Sequence, residues 1–95
     1  MGSSPPGFTD KQGQYLAFIY SYSTIHGRAP AEADMERFFR TTPPSIHQMV
    51  LKLEKRGLIS RVPGQPRSIR LLTPPGELPV LRRVVAPAAG EQRGE

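Results

Sequence analysis

Apolar residues in the first third of the chain recur at helical spacing. Tyr15, Phe18, Ile19 and Tyr22 stand at i, i+3, i+4 and i+7, on one face of a helix. Thr9-Asp10-Lys11-Gln12 ahead of them fits a capping box, with a hydroxyl at the cap and a glutamine three residues on. Gly27 can take the left-handed conformation that ends a helix. The pattern predicts a first helix over Asp10 to His26, with Tyr20 off the buried stripe. A shorter helix is predicted to start at Pro30, with Met35, Phe38 and Phe39 as its apolar stripe and Glu32, Asp34 and Glu36 near its start, where acids suit the helix dipole.

Thr41-Thr42-Pro43-Pro44 then makes a tight corner, because a hydroxyl cap followed by proline at the first helical position is a strong start signal. Ile46, Met49, Val50 and Leu53 repeat the buried spacing, and Gly57 closes this third helix. Its opposite face carries Pro44, Gln48, Leu51 and Lys55, flanked by Ser45, His47 and Lys52. Leu51 is apolar on that side. Packing on a neighbouring strand is its expected role, with a partner contact as the alternative. After Gly57 the period changes: Leu58 to Val62 and Ser68 to Leu72 are short β-prone runs around the turn-rich Pro63-Gly64-Gln65-Pro66-Arg67. The fold class is therefore mainly α with a small β-hairpin, a three-helix winged helix-turn-helix. The expected organisation is a Gly/Ser/Pro-rich flexible arm over 1–8, the domain over 9–73 and an extended Pro/Ala/Gly-rich tail over 74–95. Leu78, Val80, Leu81, Val84 and Val85 could form one strand-like piece in that tail.

Charge sharpens the picture. The net charge is +5, but from Arg37 to Arg83 ten Lys/Arg face only Glu54 and Glu77, a local +8, whereas residues 1–36 sum to −2. A middle segment of one sign suits a polyanion. In the winged arrangement the third helix enters the major groove of double-stranded DNA and the hairpin approaches the backbone or minor groove. Lys52, Lys55 and Arg56 fall on that helix, and Arg61, Arg67 and Arg70 on the wing. Ser45, His47 and Gln48 are the expected base contacts, Gln48 by pairing with adenine. Thr41, Thr42, Lys52, Lys55, Arg67 and Arg70 are the expected backbone contacts, with capping as the competing role of Thr42 and packing along the hairpin that of Arg70. Arg67 is expected to project from the wing tip. Arg82 and Arg83 are expected to add non-specific attraction if the tail is mobile.

The same stretch, Phe8 to Leu81, resembles the DNA-binding domain family of LexA repressors. The likeness is carried by Thr9-Asp10-Lys11-Gln12, Gly27-Arg28-Ala29-Pro30, Leu53-Glu54-Lys55-Arg56-Gly57-Leu58-Ile59 and the wing Val62 to Leu72, which ends Arg67-Ser68-Ile69-Arg70-Leu71-Leu72. The resemblance implies a sequence-specific, double-stranded DNA-binding transcriptional regulator, a repressor by expectation. Two departures matter. Ala31 stands where the family has a capping threonine, so that end of the second helix is expected to be weaker. Pro44 replaces an asparagine near the start of the recognition helix, so the family's operator sequence does not carry over.

Other classes find little support. There are no cysteines, so no disulfide or thiolate metal site is available. His26 and His47 are isolated, which argues against a metal, and no phosphate loop or catalytic triad is present. No cofactor, small-molecule ligand or enzymatic activity is expected. The self-cleaving half of full-length LexA repressors uses a Ser-Lys dyad, and no lysine follows Lys55. The family's main dimer contacts lie in that half, so a homodimer is expected to form through the tail, through Leu51 or on DNA. No apolar run suggests a membrane span, and a cytoplasmic, nucleoid-associated location is expected. The rival readings are a winged-helix protein–protein interaction module using Leu51 and the tail, and a binder of double-stranded RNA.

Overall fold

A computed structural model describes residues 7–82. Three helices, α1 (Asp10–His26), α2 (Glu32–Phe39) and α3 (Pro43–Lys55), precede a hairpin of β1 (Ile59–Ser60) and β2 (Arg70–Leu71) and a single 3₁₀ turn at Pro75–Glu77. The order is that of a winged helix-turn-helix.

The first helix forms between the bounds its capping residues set. Thr9 Oγ1 accepts from the Gln12 N–H at 3.1 Å, and Gln12 Oε1 accepts from the Thr9 N–H at 3.0 Å. At the other end Gly27 takes φ 71° and its N–H meets the Ser23 carbonyl at 2.9 Å. Tyr15, Phe18 and Ile19 are buried as their spacing requires, and Tyr20 is exposed.

The second helix starts at Glu32, two residues later than the proline signal suggested. Pro30 is a fully buried packing residue instead. Ala31 offers no side-chain cap, but the Asp34 carboxylate reaches back to its N–H at 2.8 Å, so half of a capping box survives the missing hydroxyl. Arg40 ends α2 in the left-handed conformation, φ 53° and ψ 52°, where glycine is commoner. Thr42 then caps α3, its hydroxyl accepting from the Ser45 N–H at 3.3 Å, with Pro43 and Pro44 filling positions whose N–H groups have no intrahelical partner. Gly57 and Leu58 close α3 in a Schellman arrangement, donating to Glu54 and Leu53 at 3.0 Å each.

The core lies where the three helices meet the hairpin. Leu16 and Ile19 of α1, Met35 of α2, Ile46, Val50 and Leu53 of α3 and Ile59 of β1 are essentially inaccessible, with Ile69 beside them. An aromatic layer closes one side: Tyr15 stacks on Phe39 at 4.0 Å between ring centroids, and Phe18 meets Phe38 at 4.6 Å. These aromatics are packing residues, not a base-stacking platform.

In the hairpin Ile59 faces Leu71 and Ser60 faces Arg70. Regular pairing is shorter than the β-prone runs because Pro63 and Pro66 have no N–H to give and Ser68 replaces the ladder. Its hydroxyl accepts from the Val62 N–H at 2.9 Å and donates to the Val62 carbonyl at 3.1 Å. Gly64, at φ 78°, allows the turn in which the Gln65 N–H meets the Val62 carbonyl.

The first part of the expected tail, residues 74–82, is held on the domain. Leu78 and Leu81 pack against the core, and the Gln14 carboxamide holds the chain at two points, donating to the Val80 carbonyl at 2.9 Å and accepting from the Arg82 N–H at 2.7 Å. Phe8, assigned to the arm, also packs on the core. Gly13 explains both: a Cβ there would meet Phe8 at 2.9 Å and Pro79 at 3.0 Å, so only glycine lets the two ends cross α1 this closely. Arg83, Val84 and Val85 lie outside the described residues, as do most of the arm and the rest of the tail.

Candidate nucleic-acid interface

The third helix buries Ile46, Val50 and Leu53 and turns its other face outward. Ser45, Gln48 and Lys52 are exposed there and line an open groove of about 310 Å³ together with Pro44, Met49 and Lys11. Polar groups that can read base edges thus sit between two lysines. Lys11 belongs to α1 and was not singled out by the sequence. One signal existed: a cation in the first turn of a helix opposes the dipole, so a lysine there lacks a local reason.

His47 lies on a neighbouring side of α3. Its Nδ1 is 3.3 Å from Glu32 Oε2, and it lines a cleft of about 380 Å³ between the start of α2 and the wing loop. Thr41 faces a third cleft with Arg40 and Arg82. Thr42 serves as the cap of α3, its hydroxyl also donating to Ser45 Oγ at 3.0 Å. Lys55 is exposed at the C-terminal end of α3, and Arg70 is exposed on β2 opposite Ser60. Leu51 is 36% exposed and stands outside the buried cluster.

Two wing arginines behave differently from their expected roles. Arg61 is only 15% exposed and pairs with Glu54 of α3 at 3.0 Å, which fixes the base of the wing to α3. Arg67 does not project outward. Its Nη1 donates to the Tyr22 hydroxyl and to the Ala29 carbonyl, both at 3.1 Å, and lies 3.0 Å from Asp34 Oδ2. The guanidinium also stands over the Tyr22 ring, 5.9 Å from its centroid. The backbone of Arg67 is left-handed, φ 59°, a conformation costing a non-glycine residue about 1–2 kcal/mol that these contacts offset. The loop therefore folds its guanidinium inward onto the α1–α2 corner.

Asp34 is the hub of that corner. It is 9% exposed and also meets Arg37 at 2.6 Å. Burial pushes its carboxyl up, but the Ala31 N–H, the Arg67 charge, the Tyr22 hydroxyl and Arg37 outweigh burial and hold it below the ordinary carboxylate range. The Tyr22 hydroxyl and the Asp34 carboxylate in turn raise the Arg67 guanidinium above its already high value. Both groups stay ionised at neutral pH, so the wing is tethered by charge-assisted bonds.

Among the described residues no cluster of three or more His, Cys, Asp or Glu is placed to hold a metal ion. No helix among them is long and apolar enough to cross a membrane.

Comparison with known proteins agrees with this geometry. The family model for the LexA DNA binding domain matches residues 6–68. A LexA repressor from Thermosipho africanus is 42% identical over 67 residues, 70% of this chain and 34% of that protein. One from Thermosipho melanesiensis is 41% identical over 64 residues, 67% of this chain and 32% of that protein. A third, from Pseudothermotoga lettingae, is 39% identical over 64 residues with the same coverage. The chain spans about a third of the length of the curated relatives it matches. The matched residues take in all three helices, the capped corner and the first strand of the hairpin, and the chain belongs to the LexA DNA-binding domain family.

Proposed function

We propose that this domain binds double-stranded DNA sequence-specifically as a transcriptional repressor, with α3 in the major groove and the wing beside it on the backbone or minor groove. The observation that carries the reading is the α3 groove, where Ser45 and Gln48 lie exposed between Lys11 and Lys52 on a helix whose opposite face is fully buried. Gln48 reads an adenine edge and Ser45 and His47 contact neighbouring base edges. Lys52, Lys55, Thr41 and Arg70 hold phosphates, which position the helix without reading sequence. Thr42 contributes through the start of α3. Arg67 positions the wing through its Nη1, which is bonded to Tyr22 and Ala29 and lies beside Asp34. Repression is carried over from the names of the relatives, and a homodimer on DNA belongs to the same proposal. The domain is not an enzyme in this reading, and a cytoplasmic, nucleoid-associated location follows from the partner.

The test is binding to a fluorescent random-sequence duplex titrated with salt, with a double-stranded RNA competitor. Affinity that falls steeply with salt and resists the RNA supports DNA binding. No binding at low salt would move the reading to a protein–protein module, with exposed Leu51 as its first candidate contact.

A further inference from the structure

Another cleft on the domain borders the α3 groove but has a different make-up. It measures about 560 Å³ and is lined by Lys11, Gln14 and Tyr15 of α1, Arg40 and Thr41 at the corner, and Arg82 from the docked C-terminal segment, with Asp10 and Phe39 completing its wall. Three cations face one acid. Asp10 suits the first turn of α1, and Arg40 would suit the end of α2 by the helix dipole alone. No such local reason places Arg82 there.

Gln14 supplies the reason. The residue is 8% exposed, and both ends of its carboxamide are used on the backbone of a segment far away in sequence, at the Val80 carbonyl and the Arg82 N–H. Burying a glutamine is costly unless it is bonded in this way. The two bonds fix the point from which the Arg82 side chain leaves the backbone.

Lys11 lines this cleft and also the α3 groove, so the two are contiguous. A duplex carries one negative charge per about 1.7 Å of its axis, so its backbone beside α3 offers oxyanions along the whole of that border. Two guanidiniums and a hydroxyl match phosphate oxygens better than lysines alone, because the planar fork can bind two oxygens at once.

We infer that the cleft formed by Lys11, Arg40, Thr41 and Arg82 takes a DNA backbone phosphodiester adjoining the α3 site, and that Gln14 is a positioning residue for it. The segment after the hairpin thereby joins the DNA-facing surface. The inference rests on the DNA-binding reading above.

The experiment is the salt dependence of duplex binding for the whole chain and five variants: Arg82→Ala, Gln14→Ala, the double variant Gln14→Ala/Arg82→Ala, Arg40→Gly and Lys52→Ala. Each single change at the cleft is expected to flatten the slope by about one unit, as loss of one phosphate contact does. The double variant is expected to lose no more than Arg82→Ala alone, since Gln14 acts only through Arg82. Arg40→Gly suits a backbone at φ 53°, so it keeps or raises the thermal midpoint while removing the charge, which separates binding from folding. Lys52→Ala, in the other groove, adds its own unit. Wild-type slopes for Arg82→Ala and Arg40→Gly would overturn the cleft, and additive losses in the double variant would overturn the role of Gln14. If inorganic phosphate alone shifts the amide resonances of Lys11 and Thr41, the cleft takes a free anion rather than a phosphodiester. If the unaltered chain shows no salt-dependent binding, the DNA reading itself fails and this inference goes with it, an outcome distinct from flat variants of a binding parent.

Discussion

At the scale of single residues, helical spacing placed some side chains and could not place others. Gln48 could be placed from the helical period because everything that defines its position lies within two turns of it. The role of Arg67 could not, since its partners Ala29 and Tyr22 lie 38 and 45 residues away and only the packed fold brings them to one corner. The two residues predict different signatures. Gln48→Ala is expected to cost about 1–3 kcal/mol on a selected operator and little on random DNA, measured by competition between the two. Equal losses on both would remove Gln48 as a base reader. Arg67→Ala is expected to weaken binding to every duplex and to speed amide exchange across residues 61–69. Its salt slope should fall by less than the unit a direct phosphate ligand gives. A full unit lost with exchange unchanged would return Arg67 to the phosphates. The partner carboxyl adds a pH dependence. The folded Asp34 carboxyl is held below its unfolded value of about 3.9, so its contribution to stability is complete above that value and is lost as pH falls through the folded one. Asp34→Asn should therefore unfold with a shallower acid dependence than the parent, seen in thermal midpoints at neutral and acid pH.

At the scale of elements, the boundaries with local chemistry were legible and those set by tertiary contact were not. The span of α1 follows from Thr9, Gln12 and Gly27, all adjacent to what they cap. The start of α2 was displaced because Pro30 is used in the core and Asp34, not Ala31, supplies the cap. Strand lengths were overestimated since Ser68 bonds Val62 through its side chain, an option that β-propensity does not register. The corner between α2 and α3 matters most to the proposed function, because it aims α3. Thr42 is its one side-chain cap, and Pro43 and Pro44 fix the direction of the first turn. Thr42→Ala is expected to cost about 1 kcal/mol of stability, read from denaturant midpoints at constant m-value. Thr42→Ser, which keeps the accepting oxygen, should recover most of that loss. If both variants behave alike, the two prolines and not the hydroxyl hold the helix start.

At the scale of the whole molecule, the domain is larger than its sequence pattern indicates. Composition marks residues after Thr73 as a tail, because prolines and small residues there break every period. Yet Leu78 and Leu81 are partly buried, and Gln14 is satisfied only by that segment. Half-burying a leucine is worth about 1 kcal/mol, so the two together supply about 2 kcal/mol beyond what the first 73 residues make among themselves. For a domain this small that is a large share of stability, since 1 kcal/mol moves the midpoint by about 4–8 °C. A chain ending at Thr73 is thus expected to melt about 8–16 °C below the full chain, by circular dichroism at matched concentration, while keeping its helical spectrum. Gln14→Ala in the full chain should lose only part of that difference, because the leucines still dock after the two carboxamide bonds are gone. Equal midpoints for the truncated and full chains would mean the segment is not held in solution, and the close crossing of Gly13 by Phe8 and Pro79 would then be the only remaining sign of it.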